Sequence, residues 1–202
     1  MKHRLIILAW ALIISLSAGA WSQHNYVTEY SVSEHSQLWV EGTSTIHSWK
    51  CEAHNFTGTL EIDFAFPAAP VIVGSHFVVP VADLDCKNRT QNKKMLKALA
   101  SETSPNILFK LDNADVSSTE TGIPVYIDVD GILIIAGQTR RVSLPGISID
   151  RVADGFELSG SFKILMSDFG IKPQTAFWGI VKTLDHVEVH FDIFVLEEKE
   201  SI

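Results

Sequence analysis

His186, Glu188 and His190 recur at every second position near the C-terminal end of the chain. Imidazole and carboxylate are zinc ligands. On a strand this spacing puts all three on one face, but a rise of about 3.3 Å per residue leaves the histidines roughly 13 Å apart. A zinc ion needs ligands about 2 Å away, so the trio cannot close a site by itself. The alternating positions Val187, Val189 and Phe191 on the opposite face are apolar, which makes the trio the outer face of a strand. A second constellation surrounds the two cysteines. His47 and His54 flank Cys51, and Asp83 and Asp85 precede Cys86. If the cysteines bridge, these groups converge into a candidate metal or catalytic cluster. The chain has no Gly-x-Ser-x-Gly, no His-Glu-x-x-His and no phosphate loop. The expectation is a protein that is not an enzyme, with no metal and no cofactor.

The elements that must position these residues read as strands. In Phe56–Phe66 the even positions are Phe56, Gly58, Leu60, Ile62, Phe64 and Phe66, with mostly polar residues between them. The same two-residue period returns in Val125–Ile135, Phe156–Ile164 and Val187–Val195, the signature of strands with one buried face. Further strands are read at Leu38–Glu41, Val71–Val81 and Ile107–Leu111, with Thr43–Trp49 as a loop or bulge and Pro80 marking an edge or bulge. The turn Gly137-Gln138-Thr139 precedes a hairpin partner at Val142–Ile149, and Asp154-Gly155 is a hairpin turn. Thr90–Leu99 is the one clear helix, with Met95, Leu96 and Leu99 on one face and Lys93, Lys94 and Lys97 on the other. Gly170–Gly179 reads as an irregular aromatic loop. Many long strands with little helix need one shared interior. The expected fold is all-β, an antiparallel barrel wide enough to hold a small apolar ligand.

The first twenty residues read as a signal peptide. A basic start at Lys2 and Arg4 precedes the apolar run Leu5–Leu16 and the small residues Ala18-Gly19-Ala20. The run is shorter than the roughly 20 residues a spanning helix needs. The expected organisation is a signal peptide over 1–20 and one barrel domain over 21–202, periplasmic or otherwise secreted, without stable membrane insertion. Cleavage after Ala20 removes Lys2 and Arg4 and no acid, taking the formal charge from −8 to −10. An acidic chain without a basic run is a poor nucleic-acid binder. By the same argument it should hold only weakly to anionic membranes. Export permits a disulfide. Cys51 and Cys86 form either one bridge, the favoured reading, or two separate buried thiols; a redox pair is disfavoured because no Cys-x-x-Cys is present.

The order of four blocks resembles the YceI-like family of exported lipid- or polyisoprenoid-binding proteins. The first is Gly42-Thr43-Ser44-Thr45-Ile46-His47-Ser48-Trp49 followed by Phe56-Thr57-Gly58-Thr59-Leu60. The second runs from Val78-Val79-Pro80-Val81 through Met95-Leu96-Lys97-Ala98-Leu99 to Pro105 and Ile107–Leu111. The third joins Val129-Asp130-Gly131-Ile132-Leu133 to Gly137-Gln138-Thr139-Arg140-Arg141-Val142. The fourth joins Gly160-Ser161-Phe162-Lys163-Ile164 to Ser167-Asp168-Phe169-Gly170-Ile171, then Trp178 and Val187–Phe191. The resemblance covers roughly Ser36 to Leu196. It implies an extended, eight-stranded, lipocalin-like antiparallel barrel with one short helix, whose interior tunnel holds a long isoprenoid or similar lipid. The Cys51/Cys86 pair is not a general feature of the family.

The aromatic residues exceed what a small barrel must pack, and core and cavity linings use the same residue types. Phe64, Phe77, Phe109, Phe162, Phe169, Phe177 and Trp178 are the candidate tunnel lining, and Arg140 and Arg141 the candidate contacts for an acidic head group. The functional expectation is sequestration or carriage of a long-chain amphiphile. A barrel with a filled interior and an interaction role is the second reading, and an enzyme acting on a lipid the third. Beyond an isoprenoid or other long-chain lipid, a second copy of the chain is the remaining candidate partner.

Overall fold

The computed structural model describes residues 26–65, 71–118, 125–173, 175–176 and 181–197. Its strands, in chain order, are β1 (Val27–Val32), β2 (Gln37–Ser44), β3 (Ser48–Ala53), β4 (Thr57–Asp63), β5 (Val71–Pro80) and β6 (Leu84–Asp85). Helix α1 (Arg89–Ala98) follows, then β7 (Asn106–Ser118), β8 (Val125–Ile135), β9 (Gln138–Val152), β10 (Gly155–Leu165), β11 (Thr175–Ala176) and β12 (Val181–Glu197).

The order of pairing closes the sheet. β4, β5, β7, β8, β9, β10 and β12 are antiparallel neighbours in succession, and β1 joins β12 back to β4. One long hairpin supplies two staves of the barrel. β1 and β2 both run antiparallel to β12, and β3 and β4 pair with β2 and β1 in turn. Each arm is therefore a single strand bent once, at 33–36 and at 54–56. Counted this way the wall is a closed eight-stranded antiparallel barrel, the architecture the resemblance implies.

Several boundaries move from their expected places. The expected loop at Thr43–Trp49 shrinks to a tight turn: β2 runs to Ser44, β3 starts at Ser48, and the Ser44 N–H donates to the His47 carbonyl at 2.8 Å. The β8–β9 turn sits at Ala136-Gly137, with Gln138 already paired to Ile135. A two-residue hairpin of this hand needs both central residues at positive φ, and Ala136 and Gly137 have φ 50° and 74°. Pro80 takes the last position of β5, where the ladder ends.

Pro145 and Gly146 interrupt β9. Proline has no N–H for a ladder, and Gly146 is left-handed at φ 68°, its N–H turned to the Asp128 carboxylate at 2.8 Å. The β9–β10 register accordingly runs only from Gly155–Ser159 to Ser148–Val152. Beyond it the two strands separate. Phe169, 2% exposed in the turn Met166–Phe169, packs with Leu133, Ile135 and Ile171 beside this gap.

The barrel has two unlike poles. At one, Tyr30 and Phe156 meet edge to face at 5.2 Å, within a cluster that includes Ile62 and Val195. At the other lie the β2–β3 turn, α1 and the turn Met166–Phe169. No helix among the described residues is long and apolar enough to cross a membrane.

Candidate functional site

The inward positions enclose a cavity of about 810 Å³. Leu60, Ile147, Leu158 and Ile193 line it deep in the barrel, and the Tyr30–Phe156 pair closes the pole beneath them. Ser44, His47, Thr90, Lys94, Lys172 and Thr183 also line it and mark its mouth at the α1 pole. Ser75 is the one buried polar residue among those described. Among the described residues, the titratable side chains of the lining are His47, Lys94 and Lys172, with no Asp or Glu.

The wall makes room for its rings at glycines. A Cβ at Gly42, Gly58 or Gly131 would collide with the ring of Trp49, Phe77 or Phe109 respectively. Each ring thus lies flat over a neighbouring strand instead of filling the centre. Sequence reading missed Trp49. The signal was available, because Gly42 and Trp49 are each an even number of residues from inward-facing neighbours on strands joined by a short turn.

Of the seven candidate tunnel residues, Phe77, Phe109, Phe162 and Phe169 line the cavity. Phe64 lies beyond the end of β4. It packs on the core cluster near the closed pole, its N–H donating to the Tyr26 carbonyl at 2.9 Å, and is not part of the cavity lining. Phe177 and Trp178 fall outside the described residues. Arg140 and Arg141 are not at the mouth. They border a separate recess of about 370 Å³ in the gap between β9 and β10. There Arg141 pairs with Asp112, and Arg140 donates to the Thr139 carbonyl at 2.7 Å.

Cys51 and Cys86 are joined in a disulfide, and both line the cavity. The bridge pins the approach to α1 against β3. A polar clasp completes the attachment. The Cys86 N–H donates to Asn92 Oδ1 at 2.8 Å, and Asn92 Nδ2 donates to Asp85 Oδ1 at 2.8 Å. Asn88 caps the helix by accepting from the Thr90 and Gln91 N–H groups. Hydrogen bonds from the Asn92 side chain and the Lys87 backbone hold the Asp85 carboxyl at about 2, well below its ordinary 3.8.

The bridge does not assemble the candidate metal or catalytic cluster. His54 comes within 3.7 Å of Asp85, whereas His47 sits at the β2–β3 turn against Ser44. No group of three or more His, Cys, Asp or Glu among the described residues is arranged to hold a metal ion. His190 lies on the outer face, stacked on Trp39 with ring centroids 5.2 Å apart, and Glu188 accepts from Ser161 at 3.0 Å.

Comparison with known proteins gives three findings. The model of the YceI-like domain family matches residues 30–195. No curated protein matches the chain. Solved structures of the same fold include BcnA from Burkholderia cenocepacia, 19% identical with a TM-score of 0.63, over 78% of this chain and 94% of that one. A polyisoprenoid binding domain from Saccharophagus degradans, implicated in plant cell wall breakdown, is 15% identical with a TM-score of 0.64, over 84% of this chain and 98% of its own. A YceI protein from Campylobacter jejuni is 20% identical with a TM-score of 0.60, over 77% and 88%.

Proposed function

The chain belongs to the YceI-like family, and from that premise we propose that it is an exported binding protein that sequesters or carries a long-chain apolar amphiphile, a polyisoprenoid or similar lipid, inside its barrel. The observation that carries this reading is the cavity of about 810 Å³, whose depth is apolar except for Ser75 and whose other polar lining gathers at the mouth. Its size lies toward the upper end of ligand sites, which span about 300–1,000 Å³.

The driving force is burial of the tail. Each buried CH₂ contributes about 0.8 kcal/mol. A ten-carbon tail gains roughly 8 kcal/mol by this rule, which falls within the cost of association, about 4–15 kcal/mol. The cavity therefore selects tails well above that length. A head group remains at the mouth, where the basic set His47, Lys94 and Lys172 favours a neutral or anionic head over a cationic one. The separate recess at Arg140 and Arg141 has no part in this. A barrel with a filled interior would lack the cavity, and among the described residues no metal-holding cluster favours catalysis.

The test is native mass spectrometry of protein purified gently from its host, followed by extraction and identification of any lipid. The expected result is a co-purifying isoprenoid or fatty chain near one per protein. A clean apo mass that persists after incubation with such lipids overturns the reading. Fractionation of the host cells tests export, with the N-terminus read by mass. Intracellular recovery with Met1 retained counts against it.

A further inference from the structure

Helix α1 is electrostatically unbalanced. Arg89, Lys93 and Lys97 recur at four-residue spacing, all three are exposed, and they form a stripe along one face. Like charges at this spacing repel. Arg89 stands in the first turn, where the helix dipole favours anions, and α1 contains no acidic residue. The imbalance extends over the molecule. Lys172 and Lys182 lie at the same pole as α1, which also carries Asp83, Asp85, Glu102, Asp168 and Asp185. The closed pole carries Asp63, Asp115, Asp128, Asp150, Asp154 and Glu197 at or near its strand ends, against Arg151. In an acidic chain the cations thus gather on α1 and beside the mouth, while the far pole is almost wholly acidic.

The mouth pole also carries exposed aliphatic side chains. Ile46, 66% exposed, tips the β2–β3 turn, and Leu184, 48% exposed, stands near the start of β12. The Thr45 N–H donates to the Lys182 carbonyl at 2.9 Å, which fastens the turn to β12. His47 of this turn and Lys94 of α1 line one mouth.

We propose that the mouth pole docks peripherally on an anionic lipid bilayer. The α1 stripe lies against phosphate head groups, and Ile46 enters the head-group region. An apolar guest could then pass between bilayer and cavity without crossing water; that consequence rests on the binding reading above, whereas the docking does not. Charge alone would equally fit an acidic protein. The exposed aliphatics beside a mouth that opens on an apolar cavity favour the bilayer, the phase that holds apolar guests. Net charge points to weak membrane contact, but it ignores where the charges sit.

The test is flotation of the purified chain, its N-terminus defined by mass, with phosphatidylcholine vesicles with and without phosphatidylglycerol. Binding is expected only with the anionic lipid. It should be lost in ~1 M NaCl, where the Debye length is about 3 Å. Each basic residue near an anionic leaflet strengthens binding roughly fivefold, so Lys93→Glu with Lys97→Glu should weaken it at least tenfold. Ile46→Asp should weaken it further, and Glu197→Gln at the far pole should not. Neither Lys93 nor Lys97 lines the cavity, so uptake of a fluorescent long-chain fatty acid by the double variant should be unchanged. Loss of that uptake in every form of the protein would count against the cavity reading and leave docking to the vesicle result. Equal flotation on both vesicle types, or binding unaffected by the double variant, overturns the proposal. Capture by polyglutamate but not by vesicles overturns it in favour of an acidic protein.

Discussion

Trp49 lies across Gly42 on the neighbouring strand, and the void at the centre of the barrel depends on this kind of pairing. Gly42→Val would drive the indole off its strand. The expected cost is about 1–3 kcal/mol for an overpacked interior, read by urea titration, with reduced lipid uptake because the ring has only the cavity to enter. Phe162 also lines the cavity. Phe162→Asp would set a carboxylate against the bound tail, and uptake should fall below detection while the far-ultraviolet dichroism stays that of the barrel. A folded variant that still takes up lipid would misplace the ligand. Asp85 has a pH signature. Its folded pKa of about 2 lies below the ordinary 3.8, so the stability it contributes is present above about pH 4 and is lost as pH falls toward 2. Asp85→Asn should flatten the acid limb of the stability curve in that window.

The attachment of α1 is the element most dependent on covalent chemistry. The helix buries no residue fully, and it is held through the Cys51–Cys86 bridge and the Asn92–Asp85 clasp. A bridge spanning 35 residues removes loop entropy from the unfolded chain, a contribution of about 3–4 kcal/mol. Reduction, or Cys51→Ala with Cys86→Ala, should lower stability by that order. Hydrogen exchange should then accelerate first in residues 84–99 while the long pairing of β10 with β12 keeps its protection. Uniform acceleration across the barrel would show that the helix is not a separately held unit. Gly146 makes the complementary point for a strand. It lets β9 leave β10 at the level of Pro145, and Gly146→Ala should cost about 1 kcal/mol because its φ is positive.

For the molecule as a whole, the hollow interior couples stability to occupancy. A ligand that binds only the folded barrel at a hundredfold excess over its Kd adds about 2.7 kcal/mol. For a domain of this size each kcal/mol moves the midpoint by about 2–4 °C. Exhaustive delipidation should therefore lower Tm by about 5–10 °C, and restoring the extracted lipid should return it. An unchanged Tm would argue that the interior is not a binding site.

Strand character was legible because alternation is local. Leu60 and Ile62, or Val129, Leu133 and Ile135, declare their face within one strand, and all of them are buried there. The helix was readable from its apolar stripe, and the family from the order of its blocks. Less legible was anything that depends on residues far apart meeting. Closure requires β12 to serve β10, β2 and β1 together, and no local pattern encodes that. Phe64 and Phe77 carry the same side chain in segments that read alike as strands, yet one falls just past β4 and packs at the closed pole while the other lines the cavity from within β5. Arg140 and Arg141 looked like mouth residues beside a turn, and the departure of β9 from β10 set them on a different recess. Sequence by itself determined the strands, their buried faces and the total charge, because these follow from neighbouring residues or a simple count. The tertiary structure alone decided the cavity, whether Cys51 and Cys86 meet in a bridge, and the separation of charge between the poles, because each depends on distances that only the closed barrel defines.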